Sequence, residues 1–221
     1  MGHENVSTSV TWTLILLAEH PACQERVRRE VVEAKAALVL ARGGGGSGGG
    51  EGEWTAEALS SMTELTHAFH EATRLYPSVP VVTRQPTRDT ELLGYRIPAG
   101  QEVVLSTYSM HRDVSVYGPR AGGWQLPERC PVVTTHGPPD AFPFGGGGRA
   151  CIGRPLSYVE VRMVVAEILL RFRVVSVSTR EGKPVRPVRE ANFVSLRPGP
   201  HKLRFEPLLP VDSTVLLRSH V

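Results

Sequence analysis

A glycine-rich segment with a single cysteine, followed at once by a long apolar stretch, sets the strictest limit on the fold. Residues 144–153 read FGGGGRACIG, and the apolar stretch covers residues 155–172. That stretch is apolar nearly all round, which predicts a helix buried on every side. Cys151 then precedes the helix N-terminus, where the positive end of the helix dipole stabilises a thiolate.

The residues around Cys151 suit a flat ligand that carries a metal ion. Glycines let the backbone approach such a ligand closely. Backbone N–H groups near the sulfur can tune the metal, and the planar fork of Arg149 suits a carboxylate. The alternative is a surface loop with a free cysteine. The joint occurrence of five residues at these spacings argues against that alternative. They are Phe144, Gly147, Arg149, Cys151 and Gly153.

The rest of the chain predicts a mainly α protein with small β-sheets. Apolar spacing and proline breaks predict helices over residues 8–19, 21–40 and 55–75. A hairpin at residues 93–100 leads into a strand at 102–105, and residues 109–141 are predicted to be mostly irregular. Short strands are predicted at residues 173–177, 192–196 and 202–205. The run GGGGSGGG at residues 43–50 is predicted to be a flexible insert.

A second pattern lies on the predicted helix that ends near residue 75. Glu71 and Arg74 are three residues apart, so they share one helix face and can pair. An ordinary surface ion pair is the simplest reading of these two residues alone. Farther along, Pro127, Glu128 and Arg129 form a separate short motif.

The cysteine segment matches every fixed position of F-x-x-G-x-R-x-C-x-G, the cysteine-ligand loop of the cytochrome P-450 superfamily, which this chain resembles. Glu71–Arg74 matches the E-x-x-R of that family, and Pro127–Arg129 resembles its P-E-R-F motif with Cys130 in place of the aromatic residue. The resemblance implies that residues 1–221 are a partial domain, the C-terminal half of the fold. It would contain the end of the oxygen-binding helix, the E-x-x-R helix, the meander and the cysteine loop.

The resemblance also implies roles for individual residues. Cys151 would bind the iron of haem b, and Glu71, Arg74 and Arg129 would form a structural network that supports the loop. The other expected cofactor-binding residues are Phe144, Gly145, Gly147, Arg149, Gly153 and Arg84, with the two arginines on haem propionates. Val81 and Thr83 would line the substrate pocket.

Residues 2–7 resemble the oxygen-activation turn of the family. Glu4 would be the acid of a proton relay, and Asn5 stands where threonine is usual. An amide can hydrogen-bond water or dioxygen, but it cannot relay a proton as a hydroxyl does. Both residues are candidates for catalysis, and Asn5 weakens the case for ordinary oxygen activation.

The function that the resemblance implies is a haem-thiolate monooxygenase, or a fragment of one. It would insert one oxygen atom of O2 into an organic, lipophilic substrate, with electrons from an NADPH-dependent or ferredoxin-type reductase. One alternative is a haem-thiolate isomerase or lyase that acts on hydroperoxides. The other is a truncated copy without catalytic activity.

Charge and cysteine content exclude several other classes. The net charge of +3 is spread along the chain, so no basic patch predicts nucleic-acid binding. Three distant cysteines do not form a disulfide framework. No stretch in the sequence predicts a membrane span or a signal peptide. The resemblance implies a longer parent protein. Eukaryotic members of the family usually carry a membrane anchor, so the parent would lie at the endoplasmic reticulum membrane or in a plastid.

Overall fold

Groups of helices and of short antiparallel strands alternate along the chain in the computed structural model, which describes residues 2–41, 53–125, 143–179, 181–184, 190–192 and 196–208. The predicted insert at residues 43–50 lies outside the described residues. So does Arg129, the third member of the predicted network.

The structure contains helices in each region where the sequence predicts one, but their number and their ends differ from the prediction. Pro21 opens the second helix as predicted, because its missing N–H is needed by no intrahelical partner there. The helices are α1 (Gly2–Glu19), α2 (Pro21–Ala41), α3 (Ala56–Ser61), α4 (Thr63–Leu75), α5 (Thr107–Met110), α6 (Val114–Tyr117) and α7 (Arg154–Arg171).

The strands of the described residues pair as four two-stranded antiparallel sheets. The strands are β1 (Val81–Arg84), β2 (Thr90–Leu92), β3 (Tyr95–Ile97), β4 (Val103–Ser106), β5 (Phe172–Thr179), β6 (Glu190–Asn192), β7 (Leu196–Pro198) and β8 (His201–Pro207). The pairs are β1 with β4, β2 with β3, β5 with β8, and β6 with β7. The prediction of a mainly α chain with small sheets is confirmed.

The hydrophobic core lies where α1 packs against α4, α7 and β5. Trp12 and Leu17 of α1 are at most 1% exposed, and Phe69 of α4 is equally buried. α7 contributes Val161, Val165 and Leu169, all fully buried. α4 carries the Glu71–Arg74 motif, and α7 begins directly after the cysteine loop, so this core fixes the relative positions of the motif and of the end of the loop.

A buried amide side chain, Gln24, joins three of these elements. Its amide nitrogen donates to the carbonyls of Leu17 (3.0 Å) and Val174 (2.9 Å). Its side-chain oxygen accepts the backbone N–H of Val174 at 2.9 Å. α1, α2 and β5 are therefore tied together by one side chain whose burial is compensated by hydrogen bonds.

Three predictions about the elements are wrong. The first helix begins at Gly2 rather than residue 8, because nothing in residues 3–7 breaks a helix, so the predicted turn there is helical. The third predicted helix is two helices that break at Met62. By contrast, residues 109–125 are mostly irregular as predicted, apart from the end of α5 and the short helix α6.

The third wrong prediction concerns the burial of α7. Among its apolar side chains Val161, Val165 and Leu169 face the core, whereas Leu156 is 61% and Val164 is 42% exposed. Buried positions four residues apart form one stripe of the helix. The opposite stripe borders an open cleft, so an apolar sequence all round the helix did not mean burial all round.

Among the described residues no helix combines the length and the apolar character needed to cross a membrane.

His111, in the turn after α5, gives the fold a dependence on pH. The residue has no exposed surface, and burial lowers the pKa of its imidazole from the usual 6.5 to about 4. The unfolded chain therefore binds a proton at a higher pH than the folded chain does. The stability that neutral His111 contributes is present above pH 6.5 and is lost as the pH falls through about 4.

We therefore expect the free energy of unfolding to fall by about 3 kcal/mol between pH 6.5 and pH 4 on account of His111. In His111→Gln this part of the pH dependence should vanish, because glutamine does not titrate. Urea unfolding at a series of pH values measures it. The same slope in the wild-type and variant chains would contradict the assignment.

Candidate functional site

A cleft of about 1100 Å³ separates α1 from the loop that precedes α7. Most of its walls are apolar, which suits a ligand that must be shielded from water. The apolar side chains that line it include Val6, Val10, Phe69, Val82, Leu105, Leu156, Val161 and Val164. The cleft is large enough for a cofactor of several fused rings.

Cys151 lies on the wall of this cleft, on the loop formed by residues 143–153. Its backbone N–H donates to the carbonyl of Phe144 at 2.8 Å, which closes the loop. Within the loop, Gly147–Arg149 forms one 3-10 turn. The N–H of Arg154 donates to the carbonyl of Cys151 at 3.3 Å, so α7 starts immediately after the cysteine. The thiol is exposed and unpaired by any disulfide.

Two glycines in the loop have a backbone conformation that favours glycine. Gly145 and Gly147 have φ angles of +69° and +62°, in the left-handed region that favours glycine. A Cβ on Gly153 would stand 3.7 Å from the Sγ of Cys151. All three were predicted to bind the cofactor. The structure gives the first two a conformational role, and of the three it places Gly145 and Gly153 on the cleft lining.

Gly147→Ala should lower the free energy of unfolding by about 1–2 kcal/mol, because alanine pays a steric cost at positive φ. The adjacent Gly148 is the matched control, since its φ lies outside the left-handed region and a Cβ there would meet open space. Gly148→Ala should change stability by less than about 0.5 kcal/mol. Urea unfolding of both variants decides the matter. Equal losses of stability in the two variants would contradict the left-handed conformation of Gly147.

The Glu71–Arg74 motif forms a buried network beneath the cleft. Arg74 is fully buried, and its Nε and one terminal nitrogen donate to the two carboxylate oxygens of Glu71, both at 2.7 Å. Its other donors reach the carbonyls of His111 (2.7 Å), Ala121 (2.6 Å) and Gly123 (2.9 Å). A guanidinium has five N–H groups, and all five are used here.

Sequence reasoning paired Glu71 with Arg74 but missed the backbone partners of the pair. The N–H of Gln125 also donates to Glu71, at 2.7 Å. These partners come from a segment 37–54 residues away in sequence, and no local spacing indicates them. The network therefore fixes the chain from residue 111 to 125 against α4.

Arg74→Lys should destabilise the chain by about 3 kcal/mol or more, because an ammonium group has three donors and leaves buried carbonyls and Glu71 without partners. Arg96→Lys is the matched control. Arg96 is 79% exposed and pairs with Asp89 on the surface, so its replacement should cost less than about 0.5 kcal/mol. Thermal or urea unfolding compares the two. A tolerated Arg74→Lys would show that the network is dispensable.

The two residues predicted for catalysis have different surroundings. Asn5 lines the cleft, and its backbone carbonyl accepts a hydrogen bond from the Ser78 hydroxyl at 3.1 Å. Glu4 is not among the described residues that line the cleft, and its carboxylate pairs with Arg197 of β7. Glu4 and Asn5 are consecutive residues of α1, so their side chains point in different directions around the helix.

The predicted propionate-binding arginines both border the cleft. Arg84 lies at the end of β1, and Arg149 lies in the cysteine loop. The prediction that Val81 and Thr83 line the pocket is wrong. Side chains alternate along a strand, and β1 turns Val82 and Arg84 toward the cleft. Sequence reasoning missed Val82, and the alternation from Arg84 would have found it.

Comparisons with known proteins agree with this architecture. The family described as Cytochrome P450 matches residues 1–205. Among curated relatives, Cytochrome P450 734A5 from Oryza sativa subsp. japonica is 36% identical over 77% of this chain, and Cytochrome P450 4F2 from Homo sapiens is 34% identical over 94%. The crystal structure of a cytochrome P450 (CYP102L1) superposes with a TM-score of 0.77 and 25% identity over 94% of this chain. The chain belongs to the cytochrome P450 family.

The matched region is a minor part of each relative. The chain spans 30% of the rice protein, 37% of the human protein and 44% of the crystallised chain. The fold described above is accordingly a partial cytochrome P450 fold, in agreement with the sequence-based expectation.

Proposed function

We propose that this chain supplies the haem-binding part of a haem-thiolate monooxygenase, with Cys151 as the iron ligand. The observation that carries the proposal is the Cys151 thiol on the wall of a large apolar cleft, with Asn5 of α1 also on its lining. The oxygen atom would come from O2, and the substrate would be a small lipophilic molecule. Electrons would come from an NADPH-dependent or ferredoxin-type reductase.

Features of the side chains and backbone of the cleft support haem b as the proposed cofactor. Cys151 lies two residues before the N-cap of α7, and Gly145 and Gly146 bring backbone without side chains to the cleft lining, where a flat ring could approach it closely. Arg84 and Arg149 would each offer a planar cation to a propionate carboxylate. When bound, a thiolate-ligated haem supplies the chemistry of O–O bond cleavage.

The remaining steps concern the residues of this chain. The apolar walls, with Val82 and Leu105 from the β1–β4 sheet, would hold a lipophilic substrate and exclude water. The Asn5 amide would hydrogen-bond water or dioxygen, although it cannot relay a proton as a hydroxyl does. Glu4 would act in proton delivery only after separation from Arg197, because the ion pair occupies its carboxylate.

Asn5 also favours a second candidate, a haem-thiolate isomerase or lyase that acts on hydroperoxides. Such an enzyme takes its oxygen atoms from the substrate and needs no proton relay to dioxygen. The engagement of Glu4 with Arg197 supports this candidate equally. Turnover of a fatty-acid hydroperoxide by the haem-loaded chain without any reductant would favour it. Oxygenation that requires a reductase and O2 would favour the monooxygenase.

Cys151→Ser should abolish the red-shifted Soret band that a thiolate-ligated ferrous haem gives with carbon monoxide, because a neutral hydroxyl does not replace the thiolate. The test loads the 221-residue chain with haem, reduces it and adds carbon monoxide. Cys23→Ala is the control, since Cys23 is buried in the core and is not among the described residues that line the cleft. It should keep the band.

Two results would contradict the proposal. One is haem uptake by the unchanged chain without a thiolate-type band. The other is the absence of haem uptake, which would favour a chain without catalytic activity. Ile152 of the loop and Leu156 of α7 have exposed apolar side chains, which fits a chain without catalytic activity.

A further inference from the structure

A hydrogen bond between α4 and α7 lies close to the cysteine loop but outside the cleft. The hydroxyl of Tyr158 and the Nε2 of His70 are 2.6 Å apart. Neither residue is among the described residues that line the cleft. A role in direct contact with substrate or cofactor is therefore not indicated, and the effect of this bond has to pass through its neighbours.

The neighbours form an aromatic cluster, made of Phe69, His70, Phe144 and Tyr158. The ring of Tyr158 lies 5.6 Å from that of Phe144, and Phe69 meets both rings edge to face, at 5.3 Å and 6.3 Å. The guanidinium of Arg154 lies over Phe144 and Tyr158, at 5.9 Å and 5.8 Å. Such ring and cation contacts have preferred geometries, so the cluster restricts where Phe144 can lie.

Phe144 connects the cluster to the cysteine. Its carbonyl accepts the backbone N–H of Cys151 at 2.8 Å. We infer that the His70–Tyr158 hydrogen bond positions the cysteine loop, by holding Tyr158 against Phe144 and thereby Phe144 against Cys151. His70 and Tyr158 are thus positioning residues. The consequence for the iron ligand rests on the proposed function, but the effect on the loop does not.

The structure offers a matched comparison one helical turn away. Arg162 of α7 donates through Nε to the Thr66 hydroxyl of α4 at 2.9 Å. Thr66 and Arg162 stand four residues from His70 and Tyr158 respectively, so this second bond joins the same two helices one turn farther from the loop. The guanidinium of Arg162 also lies over the Tyr158 ring, at 5.1 Å, so the matched variant changes Thr66 and leaves Arg162 in place. A bond that merely joins helices would act alike at either place, whereas a positioning bond acts only beside Phe144.

The first experiment measures amide hydrogen exchange at Cys151 in the 221-residue chain without added haem. Tyr158→Phe keeps the ring and removes the hydroxyl, and it should speed exchange at Cys151 about fivefold, the change that one neutral hydrogen bond produces. Amides of the β2–β3 hairpin should be unaffected. Thr66→Val should leave the Cys151 amide unchanged. The inference is overturned if Tyr158→Phe has no effect at Cys151 or if Thr66→Val has the same effect.

The second arm is a double-mutant cycle with His70→Phe. If the bond acts as one unit, His70→Phe should also speed exchange at Cys151, and the double variant should be no faster than either single variant. Additive effects would show that the two residues act separately and would overturn the inference.

A spectroscopic readout separates this inference from the proposed function. In the haem-loaded, reduced chain with carbon monoxide, Tyr158→Phe should lower the fraction of thiolate-type Soret band, and Tyr95→Phe on the exposed hairpin should not. A full thiolate band in Tyr158→Phe would count against a role at the ligand. If the unchanged chain gives no thiolate band, the proposed function fails, while hydrogen exchange still decides the positioning role.

Discussion

The buried guanidinium of Arg74 is the interaction on which the arrangement of the site depends. Its five N–H groups donate to Glu71 and to three backbone carbonyls. Because Arg74 is fully buried, water does not compensate for a lost partner, and such a loss lowers the free energy of unfolding. Because α4 carries this network and also Phe69 and His70, one helix fixes both the segment that ends at residue 125 and the contacts of the cysteine loop. α4 therefore links the Arg74 network to the aromatic rings beside Phe144, whose carbonyl accepts the N–H of Cys151.

The open apolar stripe of α7 is the other face of the same arrangement. One side of the helix completes the core through Val161 and Val165, and the other side offers Leu156 and Val164 to the cleft. The cleft is thus built by secondary-structure elements rather than by loops alone, which keeps its shape defined. The coverage of the relatives shows that this chain corresponds to less than half of each of them.

Features set by local spacing were predictable from the sequence, and features set by distant packing were not. The Cys151 loop and the Glu71–Arg74 pair depend on residues three to nine positions apart, so motifs indicated them. The carbonyl partners of Arg74, the ion pair of Glu4 and the open stripe of α7 depend on contacts between remote segments. Val81 and Thr83 of β1 were predicted to line the cleft, but Val82 lines it instead. Side chains alternate along a strand, so the placement of Arg84 on the cleft indicates Val82 as well.

The central claim is that the sulfur of Cys151 binds iron in the cleft between α1 and the loop. X-ray absorption at the iron edge of the haem-loaded 221-residue chain tests it most directly. The account predicts one sulfur atom bound to iron, present in the unchanged chain and absent from Cys151→Ser. Iron bound only by nitrogen and oxygen atoms in the unchanged chain would contradict it.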